Sequence, residues 1–542
     1  MKQTFTLIFS LFVVAGLQAQ ERYIDPQFGV ERVGDLTYGT NITILRGLAN
    51  AAPEDLKMDI YRPAGDTATN RPVVLIAPTG SFLPILFNMT TTGSRFDSTA
   101  IETAVRLVSR GYVVGVFDYR KGWDPGSEFE DVRKGTLLQA AYRGIQDTRT
   151  AVRYMRSTVA EEGNPHGINP DKIGIWGIGT GGYLALGAAS LDDISEVQLD
   201  KFLADDGSPL IVESVSGDID GKLETFFDPG TNTMPSNLPN HVDYDSDIIF
   251  SFNQGGALGD SSWIDGAPNE PAYVGVHCTQ DIFAPFFNGI VIVPTTREEV
   301  VRVAGTRLAI ERANDLGLND GIAGLGADDD PLSELIEEQK EDSITAQLLT
   351  EATPLLEGTD NFYAFDIPVF LDPEGNPRAE GSPWDWWGLQ DLRNLVAAVN
   401  AATGASLDAD LLHLSGLATN PDMSAEKART YIDTIFQLAI PRMYLAYELG
   451  DAIVGTTDIV EASAIGLSAF PNPTTEILTI KTTGATIEAI NVLTQGGLLL
   501  SRINDINSQQ YEWQRPATIP SGPVFLQIQT DEGTTVQKII LQ

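Results

Sequence analysis

Short runs of consecutive apolar, mostly β-branched residues recur at Val73–Ala77, Val113–Asp118, Lys172–Trp176, Leu210–Val215 and Ala272–Cys278. Each predicts a strand covered on both faces, because a strand with one wet face would alternate apolar with polar residues. Between these runs, Thr99–Arg110 and Leu137–Ser157 carry the helical period. In the second, Leu138, Ala141, Tyr142, Ile145, Val152 and Met155 share one face, while Arg143, Asp147, Arg149 and Arg156 fall off it. Strands alternating with helices predict a doubly wound, mostly parallel α/β domain.

The alternation breaks between Gly217 and Pro271, a stretch rich in Asp, Asn, Pro and Gly with scattered aromatic residues. A long irregular connection after a core strand predicts a lid-like insert at about 217–271. Two more helices are expected at Asp385–Ala402 and Ser424–Leu449, with Trp384, Trp386 and Trp387 ahead of the first. Beyond Ala469 the pattern becomes alternating and strand-like at Ile477–Lys481, Ile487–Leu493, Leu498–Ile503, Val524–Gln529 and the C-terminal Val536–Gln542. Short strands with Gly, Asn and Ser turns predict a small all-β sandwich. The expected division is a leader at 1–20, an α/β domain at 21–460 and a β domain at 466–542.

The leader reads as a Sec-type signal peptide, with Lys2, an apolar core Phe5–Gly16 and a small-residue cleavage site at Leu17-Gln18-Ala19. That core is too short to span a bilayer, and no later stretch predicts a transmembrane segment. Net charge is −39, which argues against nucleic acid or an anionic membrane as partner. The acidic run Asp328-Asp329-Asp330 lacks the glycine and alternating oxygen ligands of a calcium loop and reads as a solvated surface loop. With Cys278 as the only cysteine, an internal disulfide is excluded and no thiolate metal site is expected; no cofactor is implied.

The chemistry concentrates at Gly177-Ile178-Gly179-Thr180-Gly181, between a strand and a helix beginning near Tyr183. A strand–turn–helix of this kind carries G-x-S-x-G in serine hydrolases, where a sharp turn lifts the serine into the site. The central position here is Gly179, which has no side chain. The same residues satisfy G-x-G-x-x-G, but that fingerprint needs an acidic residue at the tip of the next strand. Asp192 and Asp193 lie instead in a polar stretch.

The order of motifs resembles the esterase/lipase branch of the α/β-hydrolase superfamily over roughly residues 40–315. Leu56–Pro63 and Arg71–Leu75 match its second and third strands, Asp118-Tyr119-Arg120 closes the fourth, and Gly167–Trp176 leads into the elbow. Val276–Pro285 matches the loop that supplies the acid, so the resemblance implies Asp281 at the acid position and Gly179 at a degenerate nucleophile position. The oxyanion loop would be Pro78-Thr79-Gly80-Ser81-Phe82, with Gly80 and the Thr180 N–H as candidate donors. Pro78 replaces the family histidine and has no N–H to donate. Ser81 and Thr180 are the nearest hydroxyls, with the Thr180 side chain expected to point away from the site. His413, in an apolar setting, is the base candidate after Asp281; His277 precedes it, and His166 and His241 lie on loops.

The tail, opening Ala469-Phe470-Pro471-Asn472-Pro473-Thr474, with Gly496-Gly497, Ser521-Gly522 and the terminal Lys538-Ile539-Ile540, resembles a type IX secretion C-terminal sorting domain of Bacteroidetes. That resemblance implies handling by the type IX secretion machinery and a secreted or cell-surface location. The expected function is therefore an exported α/β-hydrolase-fold binding module for an ester, glycan or peptide ligand. An extracellular carboxylesterase with an unorthodox nucleophile and a surface adhesion protein are the alternatives.

Overall fold

The computed structural model describes residues 22–45, 51–88, 90–227, 234–293, 298–323, 325, 330, 332–341, 359–371, 375, 377–449, 462, 464–494, 499–503, 506–516, 519, 521–531 and 533–542. The expected signal peptide, Gly496-Gly497 and Asp328-Asp329 lie outside these residues. Two compact units are present, one formed by Arg22–Leu449 and one containing the C-terminal residues from Gly450.

The larger unit is built on an eight-stranded mixed sheet. Its strands are β1 (Gly29–Thr43), β2 (Ala52–Ala64), β3 (Arg71–Ala77), β4 (Val113–Phe117), β5 (Ile168–Ile178), β6 (Phe250–Gln254), β7 (Ala272–Cys278) and β8 (Phe362–Phe365). They lie in the order β1-β2-β4-β3-β5-β6-β7-β8. β2 runs antiparallel to β1 and β4, and every other pairing is parallel. Successive residues point to opposite faces. Val73, Leu75 and Ala77 therefore join one apolar cluster, with helices Glu130–Glu162, Thr180–Ser190 and Thr306–Asp315, while Val74 and Ile76 join another, with helices Ser98–Ser109 and Ala425–Ala446. Covering both faces is why these strands read as unbroken apolar runs.

Three expectations need correction. Leu210–Val215 is not a strand: it is a loop followed by the short helix Glu213–Ser216. The neighbour of β5 is β6, which lies inside the expected lid-like insert at 217–271. That part of the insert belongs to the sheet; the sequence Phe-Ser-Phe-Asn-Gln hid it because its polar side chains are also buried. Ser251 Oγ donates to the Ala185 carbonyl, and Asn253 Nδ2 donates to Thr306 Oγ1. Asp330 is not solvated either; it is buried and paired with the buried Arg442 at 2.7 Å.

Helix Glu130–Glu162 is longer than its periodicity predicts; of its off-face residues Arg143, Asp147 and Arg149 are buried as well, and Arg156 is half-buried. Asp147 receives the Arg120 backbone N–H at 2.7 Å and the Arg120 guanidinium at 2.8 Å. Arg153 donates to the carbonyls of Asp220 and Asn240, so the segment after Gly217 packs over this side of the helix.

The C-terminal unit is all-β. A three-stranded sheet (Ser468–Phe470, Ile477–Lys481, Gln510–Gln514) and a four-stranded sheet (Leu499–Ile503, Ile487–Thr494, Gly522–Thr530, Gly533–Leu541) share a core that includes Leu478, Ile490, Trp513, Leu526 and Ile539.

Candidate functional site

β5 ends at Ile178 and a helix begins at Thr180, so the chain reverses at the single residue Gly179. Gly179 has φ 53° and ψ −116°, a conformation that side-chain-bearing residues adopt only under strain. The turn is packed as tightly as its glycines allow: a Cβ on Gly181 would lie 1.9 Å from the Ala77 carbonyl oxygen. The sharp strand–turn–helix expected from the sequence is thus present, but a side chain at its centre has no room unless Thr79 shifts. A Cβ on Gly179 would stand 2.3 Å from Thr79 Oγ1 and 3.0 Å from Thr79 Cβ.

The loop after β3 is held closed against this turn. Ser81 N–H donates to Thr180 Oγ1 at 2.7 Å, so the Thr180 side chain faces the loop and does not point away as expected. Tyr119 Oη donates to the Pro78 carbonyl at 2.9 Å, and Trp123 Nε1 donates to the Ser81 carbonyl at 2.8 Å. Gly80 has φ 134°, and a Cβ there would lie 2.7 Å from Gly93 Cα, so this position is restricted to glycine. Of the backbone N–H groups near the turn, that of Ser81, next to the expected donor Gly80, is engaged. That of Thr180 is at the first position of its helix, where N–H groups have no intrahelical acceptor.

Asp281 follows β7 and is turned inward. Its Oδ1 accepts the Phe283 N–H at 2.7 Å, and its Oδ2 lies 3.4 Å from His277 Nε2. His277 is itself buried, with Nδ1 2.6 Å from Thr306 Oγ1 and Nε2 3.1 Å from the Ala284 carbonyl. The chain after β8 passes directly over the acid: a Cβ on Gly381 would lie 2.5 Å from Asp281 Oδ1. Ser382 follows, so this Gly-Ser segment flanks the acid together with the buried His277 imidazole.

His413 is half-buried on helix Ala409–Leu417, not packed in an apolar core as its sequence setting implied. Its Nδ1 accepts from Trp387 Nε1 at 3.1 Å. Trp387 lines the cavity described next, and His413 does not. His166 is buried elsewhere, its pKa lowered to about 4 by burial and then by Arg62, and His241 bonds the Tyr38 carbonyl. None of the four histidines lines the cavity.

A cavity of about 510 Å³ opens over Thr79, Gly80, Ser81, Gly179, Thr180 and Asp281. Sequence reasoning brought these last five together, but it missed Thr79 and Asp385. Thr79 stood in the quoted loop without a signal that it fills the nucleophile space. Asp385 lay hidden in the tryptophan cluster far downstream. Its carboxylate accepts from Thr99 Oγ1 at 2.8 Å, and burial raises its pKa to about 6. Asp97 nearby is raised to about 7, by burial first and by the Asp385 charge among lesser causes. Burial, and then the Asp281 charge, push the Tyr183 phenol up at the same wall. Among the described residues no group of three or more His, Cys, Asp or Glu is placed to hold a metal ion.

Comparison with solved structures finds likenesses of low identity. A truncated carbohydrate esterase from gut microbiota is 16% identical, over 49% of this chain and 82% of that one, with a TM-score of 0.26. Thermogutta terrifontis esterase 2 phosphorylated by paraoxon is 17% identical, over 46% and 75%, with a TM-score of 0.24. An α/β-hydrolase enzyme from a Medee basin deep-sea metagenome library is 15% identical, over 47% and 72%, with a TM-score of 0.23. No curated protein matches the sequence. Residues 468–542 match the family described as secretion system C-terminal sorting domain. No helix among the described residues is long and apolar enough to cross a membrane. The C-terminal unit is thus a type IX sorting domain, and the protein is exported to the cell surface or beyond it.

Proposed function

We propose that the α/β unit is an α/β-hydrolase fold that binds a small extracellular ligand without hydrolysing it. The strand order β1-β2-β4-β3-β5-β6-β7-β8, with only β2 antiparallel to its neighbours, supports the fold assignment. The observation that carries the functional reading is the pair Thr79–Gly179. A serine hydrolase needs a hydroxyl on the elbow with an imidazole in reach. Here Thr79 Oγ1 lies only 2.3 Å from where a Cβ on Gly179 would be, and none of the histidines lines the cavity. Thr79 itself, Ser81 and Thr180 lack a base, and an unassisted hydroxyl is a poor nucleophile. The cavity favours binding over a purely structural role, since its volume is within the usual range for small-molecule sites.

The test is hydrolysis of short-chain nitrophenyl esters by the purified protein beside its Asp281→Asn variant. Equal, background-level rates are expected. Turnover that disappears in the variant, or covalent labelling of Thr79, Ser81 or Thr180 by a fluorophosphonate, would establish an active esterase and overturn the reading.

A further inference from the structure

The cavity has two unlike ends. Thr79, Ser81 and the Gly179 turn form a polar end, together with the carboxylates of Asp281 and Asp385. A second part of the lining is an apolar branch, with Leu138, Ile145, Phe202, Trp263, Val301 and Val303 among its walls, while Asn88, Thr90 and Asn420 add further polar lining. All six apolar residues belong to the main apolar core. Such a branch selects for an aliphatic or aromatic group, and each buried methylene gains roughly fourfold in affinity.

The polar end carries a sign. Asp281 and Asp385 line it, and Asp97 lies close enough to Asp385 for their charges to interact. The opposing charges are few. Lys121 acts on Asp97, but it does not line the cavity. Arg378 is the one basic side chain lining the cavity among the described residues; it is exposed and already makes an interaction. An anionic head would therefore face like charge in a partly desolvated space, where such repulsion is screened little. A hydroxyl or an ammonium meets no such penalty. Thr79 and Ser81 offer hydroxyls that both donate and accept.

We propose that the cavity takes an amphiphile with one aliphatic chain and an uncharged or cationic head, and that it discriminates against the carboxylate-headed analogue. This rests on the reading of the unit as a binder, because the product of any ester hydrolysis would include the excluded carboxylate.

The experiment displaces the neutral dye Nile red from the full chain with decanol, decylammonium and decanoate, each below its micellar concentration. Decanol and decylammonium are expected to displace the dye, with decanoate at least tenfold weaker. Shortening decanol to hexanol should weaken displacement by about two orders of magnitude. Asp385→Asn should narrow the gap between decylammonium and decanoate severalfold. Ala141→Trp and Val303→Trp, which fill the apolar branch from two different elements, should each abolish displacement by all three. Decanoate binding as tightly as the others, indifference to chain length, or failure of the dye to bind overturns the proposal. Nitrophenyl ester turnover in the same preparation overturns the non-hydrolytic reading instead, whatever the head preference, and decanoate success leaves that reading standing.

Discussion

The backbone N–H of Ser81 donates to Oγ1 of Thr180 at 2.7 Å, tying the loop after β3 to the first turn of the helix that follows β5. Thr180→Val keeps the shape of the side chain and removes the acceptor. The Ser81 amide should then exchange with solvent markedly faster, and stability should fall by about 1 kcal/mol. Amide exchange with and without the substitution reads this directly; unchanged protection at Ser81 would mean that the contact does not hold the loop.

Restoring a serine at position 179 should not restore chemistry. Gly179→Ser would place a Cβ in a left-handed conformation and against Thr79, and we expect a loss of about 2–4 kcal/mol by urea unfolding. Combining it with Thr79→Gly should recover part of that loss, because the crowding term disappears and the backbone strain remains. Additive losses in the double variant would show that the two residues do not compete for the same space.

Among the described residues Asp147 is the one carboxylate bonded to the buried guanidinium of Arg120, and Arg143 lies beside them, with its pKa lowered to about 9 by burial and then by Arg120. Asp147→Asn leaves cationic groups buried without a counter-charge, for which about 3–5 kcal/mol is typical. Replacing both partners, as Arg120→Met with Asp147→Leu, should cost less than the single change. Denaturant midpoints for the three proteins decide the point.

Asp97 and Asp385 make stability depend on pH in an uncommon direction. Both carboxyls hold their protons more tightly when folded, to about 7 and about 6. Their contribution is therefore complete below the ordinary carboxylate range and declines as pH rises through those values. Asp97→Asn, which cannot ionise, should gain stability relative to the parent between pH 5 and pH 8, by a few degrees in Tm. An identical Tm difference at both pH values would mean that the carboxyl ionises normally.

The sheet was largely legible because β3, β4, β5 and β7 are apolar runs covered on both faces, and such runs leave an unmistakable mark. β6 was not, since Ser251, Asn253 and Gln254 are buried through hydrogen bonds that no hydropathy pattern records. The apolar Leu210–Val215 misled for the opposite reason, having composition without a pairing partner in the sheet. At the site, the absence of a side chain at Gly179 and the place of Asp281 could be read from motif order. What fills the vacated space could not, because Thr79 reaches Gly179 from a separate strand, and only the folded chain brings them together. The same holds for Asp385, which meets the cavity from far along the chain. The Trp387–His413 contact likewise joins a loop residue to a helix, and their separation in sequence carries no information on their facing.

The close approach of Thr79 to the Gly179 turn also makes the two positions interdependent. A side chain at 179 enters a crowded turn unless residue 79 shifts or shrinks, so the same substitution has a different cost before and after a change at 79. The turn therefore works as a latch: what position 179 can accept is set by a residue a hundred positions earlier in the chain.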